Sequence, residues 1–268
     1  MTPRSAPVSM VRAAVAALSL ALATVAPVHA QGGGAAAGTA PPASARAAAP
    51  VDLVGTWVSL VTEDWRYRMV TPAKGDYQSV PMTQDALRIA DAWDPEQDEA
   101  AGLQCKAFGA GGIMRVPGRL RIDWQDDDTL RLEFDAGSQT RAFRFGPPRG
   151  RPGRRSWQGE SSATWLPARA ARGPGSGPVP GAGMGTLKVV TTNVRAGYLR
   201  RNGVPYSDEA VITDYFAQAR LASGADVLVV TTVVTDPRYL TQPFIVSTHF
   251  RRQADDTGWN PTPCASTW

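Results

Sequence analysis

The sequence predicts an all-β domain: an antiparallel up-and-down barrel of about 8–10 strands with one short helical insertion. Three observations predict it. Segments with apolar residues at every second position recur from Leu53 to Arg251. Clusters of Gly, Pro, Asn and Asp separate them. Most of the aromatic residues fall on the predicted inward faces. A period of two is the mark of a half-buried strand, and the turn residues supply the reversals.

Two stretches precede the domain. Residues 1–30 read as a signal peptide: Arg4 and Arg12 give a basic start, residues 13–25 are apolar, and Val28-His29-Ala30 places small residues before Gln31. The apolar run is shorter than the ~20 residues a spanning helix needs. No other segment is long and apolar enough to cross a bilayer, so no transmembrane segment is expected. Residues 31–50 are almost entirely Ala, Gly, Pro and Ser, with Arg46 the one charge. Such a composition buries too little surface to order itself, so a disordered linker is expected. One β-barrel domain then spans residues 51–268.

The domain opens with a predicted strand from Leu53 to Val70. Trp57, Val61, Trp65, Tyr67 and Met69 share its inward face; Asp64, Arg66 and Arg68 point outward. Glu63 falls among the inward aromatics. Residues 74–81 form a loop. Thr83 caps a helix over 84–93, with Leu87, Ala90 and Trp93 on one side, and Asp94-Pro95 breaks it. A further helical turn over 96–101 ends at Gly102.

Strands then resume. Leu120, Ile122 and Trp124 alternate with charged residues, Asp126-Asp127-Asp128 turns the chain, and Leu130, Leu132 and Phe134 alternate in reply. Residues 139–145 place Arg141, Phe143 and Phe145 on one face. Residues 157–165 form the next strand. Segments 186–194, 211–219, 226–235 and 243–251 are dense in Val, Thr, Ile and Phe. Asn202-Gly203 marks a turn, as do Asp236-Pro237 and the stretch from Asp255 to Gly258.

The net charge of +4 is not evenly spread. Between Arg141 and Arg172 there are eight arginines and one acidic residue, Glu160. Much of this stretch is two Gly/Pro-rich loops, 146–155 and 167–185. They suit contact with an anionic envelope surface. No aromatic residues interleave within the loops, so nucleic acid is not the expected partner. Cys105 and Cys264 are an even pair in a chain with an export signal, so a disulfide is expected. The expected location is periplasmic or secreted.

Several chemistries are excluded. Beyond the signal only His249 remains, so a multi-histidine metal site is absent and no metal is expected. A Ser-His-Asp hydrolase would need His249 as base, and no Gly-x-Ser-x-Gly elbow accompanies it. Asp256-Thr257-Gly258 has no second copy, as a paired-carboxylate protease requires. Gly181-Ala182-Gly183-Met184-Gly185 lacks the spacing of a dinucleotide fingerprint, and no cofactor is expected. His249 lies on the less apolar face of its strand, which suggests an exposed or rim position.

The predicted interior is left as the candidate site. Trp57, Trp65, Tyr67, Trp124, Phe143 and Phe145 crowd inward, joined by Glu63 and Arg141. The two charged residues form a buried pair or orient a polar ligand in an apolar pocket. A filled core and a cavity both remain open at this point.

Two short motifs carry a resemblance. Gly55-Thr56-Trp57 resembles the Gly-x-Trp signature of lipocalin-type (calycin) barrels, and Thr213-Asp214-Tyr215 resembles their Thr-Asp-Tyr signature. The resemblance implies an antiparallel barrel closed at one end by Trp57 beneath a late arginine, Arg251 or Arg252. Ligand would enter at the other end, and the family mostly binds small apolar molecules. The whole stretch from Leu53, opening with Val58-Ser59-Leu60-Val61-Thr62-Glu63-Asp64-Trp65-Arg66, also looks like a group of exported bacterial proteins without an assigned activity.

The leading expectation is a lipocalin-like binder of an apolar or amphipathic small molecule, lined by Trp57, Glu63, Trp65, Tyr67, Arg141 and Tyr215. One alternative is a barrel enzyme, an isomerase, cyclase or hydrolase, with Glu63 as acid or base in an apolar setting that raises its pKa. Another is an envelope interaction module acting through the arginine-rich loops.

Overall fold

A computed structural model describes residues 43–147, 150–167 and 185–267. The expected signal peptide, the linker up to residue 42 and the stretch 168–184 lie outside the described residues. Nine strands close into a barrel. They are β1 (Gly55–Leu60), β2 (Arg119–Asp126), β3 (Thr129–Phe134), β4 (Gln139–Phe145), β5 (Glu160–Leu166), β6 (Thr186–Thr192), β9 (Val211–Arg220), β10 (Asp226–Thr235) and β11 (Phe244–Arg252). A hairpin of β7 (Gly197–Tyr198) and β8 (Pro205–Tyr206) stands outside the ring. Neighbours in the ring follow chain order, and β1 closes it by pairing with both β2 and β11.

The all-β barrel is as the alternation predicts, but it is not antiparallel throughout. Each antiparallel pairing reverses strand direction, so a ring with an odd number of strands cannot close without a parallel pair. That pair is β4 and β5, in register from Phe143↔Ser161 to Phe145↔Ala163. The remaining pairings are antiparallel. A parallel step needs a crossover connection, and residues 146–159 supply it between β4 and β5.

The inward faces of β2, β3 and β4 match the sequence pattern. Leu120, Ile122, Leu130, Leu132, Phe134 and Phe143 are buried in one cluster with Trp57, Leu187, Phe216, Leu228 and Phe250. Phe143 and Phe216 meet with ring centroids 5.4 Å apart. At one end Trp57 is fully buried, its indole N–H donates to the Leu53 carbonyl at 3.0 Å, and the Arg252 guanidinium lies 4.3 Å from its ring centre. Residues 43–50, expected as linker, are held at this same end. The Ala45 and Arg46 amides donate to Asp128 and Asp127, and the Trp165 indole donates to the Ala45 carbonyl.

One ion pair sits inside the apolar cluster. The Arg141 Nη2 lies 2.9 Å from Asp214 Oδ2, and both side chains are fully buried. Arg141 also donates to Thr191 at 3.0 Å, and Thr232 donates to Asp214 at 2.6 Å. Arg141 therefore has a partner, but it is the aspartate of the Thr213-Asp214-Tyr215 run and not Glu63.

The predicted first strand is corrected most. β1 stops at Leu60, not Val70. Beyond Val58 its β2 neighbour has already ended at Arg119, so a longer strand would have no ladder on that side. The chain turns at Asp64, which adopts the left-handed conformation with φ 50°, and enters the short helix α1 (Trp65–Arg68). Asp is one of the few residues to tolerate that region. α2 (Gln84–Asp91) is capped by Thr83 as predicted, and α3 (Pro95–Ala100) is capped by Asp94. No helix among the described residues is long and apolar enough to cross a membrane.

These helices and the β7–β8 hairpin cover the other end of the barrel. A second apolar cluster lies there, including Leu199, Val204, Tyr206, Val234, Leu240 and Phe244. Gly203 adopts φ +81° in the predicted Asn-Gly turn, and a Cβ there would meet Trp93 at 2.3 Å. Asn202 donates to the carbonyls of Ala73 and Asp76, tying the loop before α2 to the hairpin. Cys105 and Cys264 are bonded, joining the C-terminal tail to this layer across 159 residues. A loop of that size corresponds to about 4–5 kcal/mol in the loop-entropy account.

The Arg141–Asp214 pair gives the first test. Asp214→Ala leaves a buried guanidinium without its counter-charge and is expected to cost about 3–5 kcal/mol in urea unfolding. A loss below about 1 kcal/mol, the scale of an exposed pair, would contradict a structural role for this pair.

Candidate functional site

The covered end of the barrel gathers an unusual set of charges. Three segments from two connections supply them. α1 provides Tyr67 and Arg68, the turn Ile113–Arg115 provides Arg115, and the β7–β8 turn provides Arg200 and Arg201. Arg68, Arg115 and Arg200 are only 1%, 5% and 3% exposed. With Tyr67, Arg201 and the backbone at Gly112 they surround a small opening of about 20 Å³. This is room for a water-sized group.

The partners of these guanidinium groups can be followed one by one. Arg68 donates from Nε to the Arg115 carbonyl at 2.8 Å and pairs through Nη1 with Glu63. Arg115 donates from Nη1 to Asp64 at 3.0 Å. Arg200 lies 3.9 Å from the centre of the Tyr67 ring. Arg201 donates to the Ala265 carbonyl at 2.9 Å and lies over Phe108. Asp76, the next carboxylate, is paired with Arg66.

Several donors are left over. Among the described residues Arg68 Nη2, Arg115 Nη2, and Arg200 Nε and Nη1 are buried without a hydrogen-bond partner. Burial lowers the pKa of Arg68 and Arg200, and the nearby charge of Arg115 lowers both further. Burial alone brings Arg201 down to about 9. Buried N–H groups of this kind are costly when unmet, more so when charged. The arrangement is therefore short of acceptors and short of negative charge.

Glu63 forms the edge of the site. One of its oxygens meets Arg68 and the other lies 2.9 Å from Nδ1 of His249, on the outward face of β11. Burial raises the Glu63 pKa, but hydrogen bonds from His249 and Thr62 and the charge of Arg68 outweigh it, and the net shift is downward. Glu63 is thus held ionised, where the sequence reading expects a raised pKa. An ionised carboxylate can only accept, so Nδ1 of His249 carries the proton. The contact is an oriented imidazole on a fixed carboxylate.

Of the residues expected to line one pocket, the structure brings together only Glu63 and Tyr67. Trp57 and Arg141 are core residues inside the barrel. Trp65, the first residue of α1, is 63% exposed. Tyr215 is on the outward face of β9, opposite Lys188 and Thr231, while its neighbour Asp214 points in. Sequence reasoning missed Arg68, Arg115 and Arg200. Arg68 was placed on a solvent face by strand alternation, and no period links three segments so far apart in the chain. No protein-family model, curated protein or solved structure matches the chain.

The Glu63 shift predicts a pH dependence. Its folded pKa lies below the unfolded value, so its stabilisation is present above the ordinary carboxylate range. It is lost as pH falls through the depressed folded value. Glu63→Gln is expected to be about 1–3 kcal/mol less stable than the wild type at neutral pH. That gap should close in acid, measured by urea unfolding at pH near 7 and near 3. An equal gap at both would contradict the assignment.

Proposed function

We propose that the protein is an exported binding protein for a small amphipathic acid, held at the covered end of the barrel and not inside it. One observation carries this: the unmet N–H groups of Arg68, Arg115 and Arg200 around a single opening. An acid group supplies what they lack, since a carboxylate accepts several hydrogen bonds and returns negative charge. The opening takes the acid oxygens and no more, so the rest of the ligand lies outside it. Trp65, Met69 and Val70 are exposed beside Tyr67 and Arg68 on the same short segment and offer an apolar surface for it. Export is supported by the N-terminal pattern and by the disulfide, which belongs to oxidising compartments.

The filled barrel argues against an interior ligand. Trp57, Leu120, Phe143, Phe216, Leu228 and Phe250 occupy the space where one would sit. The ligand class expected from the sequence is kept in its amphipathic form, and its location moves.

Titration calorimetry with decanoate and with decanol tests the proposal. Decanoate should bind and the neutral alcohol should not. Arg200→Gln should weaken decanoate by about 10–100-fold, the range of a charged hydrogen bond. Equal binding of acid and alcohol, or an unchanged affinity in Arg200→Gln, would refute it.

A further inference from the structure

The single parallel step in the barrel has a second result. Gly146, Pro147, Gly150, Arg151 and Pro152, from the connection between β4 and β5, help to line a cleft of about 520 Å³. That is the size of a small-molecule site. It shares no lining residue with the opening at the covered end.

The lining is polar and its charges are not balanced in use. Two carboxylates face the cleft, and both are engaged by the protein. Asp128 accepts from the Ala45 amide at 2.9 Å. Glu160 accepts from the Gly153 amide at 2.7 Å and from the Asn193 side chain at 3.1 Å. Two guanidinium groups, Arg144 and Arg151, also line it, and neither makes an ion pair among the described residues. The hydroxyls of Ser162 and Thr192 stand beside them.

We infer that this cleft binds a polyhydroxylated anion, a sugar or cyclitol bearing a phosphate or carboxylate. The two free guanidinium groups take the anionic group, for which their planar fork is suited. The hydroxyls can both donate to and accept from the hydroxyls of the ring. The prolines Pro147 and Pro152 give apolar surface for the ring faces. The same chemistry occurs in a free sugar phosphate and in a phosphoinositol lipid headgroup.

Both sources can be tested on the intact protein. Glucose 6-phosphate should bind by calorimetry, and glucose and inorganic phosphate should each bind at least tenfold more weakly. The double variant Arg144→Gln, Arg151→Gln should lose at least tenfold for glucose 6-phosphate. Both side chains are exposed, so the fold is expected to survive, and an unchanged affinity for decanoate would confirm that it has. Sedimentation with phosphatidylcholine vesicles, with and without phosphatidylinositol, separates the sources. Co-sedimentation that needs phosphatidylinositol and is displaced by glucose 6-phosphate marks a headgroup. Binding of the soluble probe alone marks a free sugar phosphate. Phosphate binding as tightly as the sugar phosphate overturns the inference, as does full affinity in the double variant or no binding in either arm.

Discussion

Closure of an odd-numbered ring is the constraint on which the rest of this structure depends. Nine strands cannot alternate in direction all the way round, and β4 and β5 absorb the mismatch by running parallel. That step needs a crossover connection between β4 and β5, where a tight hairpin would otherwise have sufficed. Pro147, Arg151 and Pro152 of this connection line a cleft with Arg144 and Ser162 of the strands. The two long connections at the other end, 61–118 and 193–210, are free to fold over the barrel mouth and build a second apolar layer.

Two groups of buried charge divide the molecule by purpose. Inside the barrel, Arg141 meets Asp214 and bonds Thr191, and Thr232 bonds Asp214, while Arg141 Nε and Nη1 stay without a partner. Each charge there has its opposite, as burial demands. At the covered end Glu63 and Asp64 serve Arg68 and Arg115, and Arg200 rests on Tyr67. What differs at the covered end is that unmet donors of three arginines converge on one opening. The Glu63 pKa is raised by burial but lowered on balance by hydrogen bonds from His249 and Thr62, with the charge of Arg68 adding to them.

Most of the barrel was legible in the sequence because strand alternation is a local signal. β4 and β10 match their predicted limits, and the inward faces of β2 and β3 follow from Leu120, Ile122, Leu130 and Leu132. Thr83 and Asp94 act as helix caps as their residue types suggest. The alternation misled after Leu60, where Val61, Trp65, Tyr67 and Met69 kept the period of a strand that has no neighbour to pair with. Since Glu63 and Arg68 lie in that stretch, the site was lost with it. Arg115 and Arg200 join it only through the tertiary packing of separate connections, and the chain carries no local mark of that meeting.

The central claim is that the opening between Arg68, Arg115 and Arg200 takes an anion. Anomalous diffraction from a crystal soaked in bromide tests it most directly, with bromide standing in for an acid oxygen. The account predicts an anomalous peak within hydrogen-bonding distance of Arg115 Nη2 and Arg200 Nη1. Bromide found only against exposed arginines, with none in the opening, would contradict it.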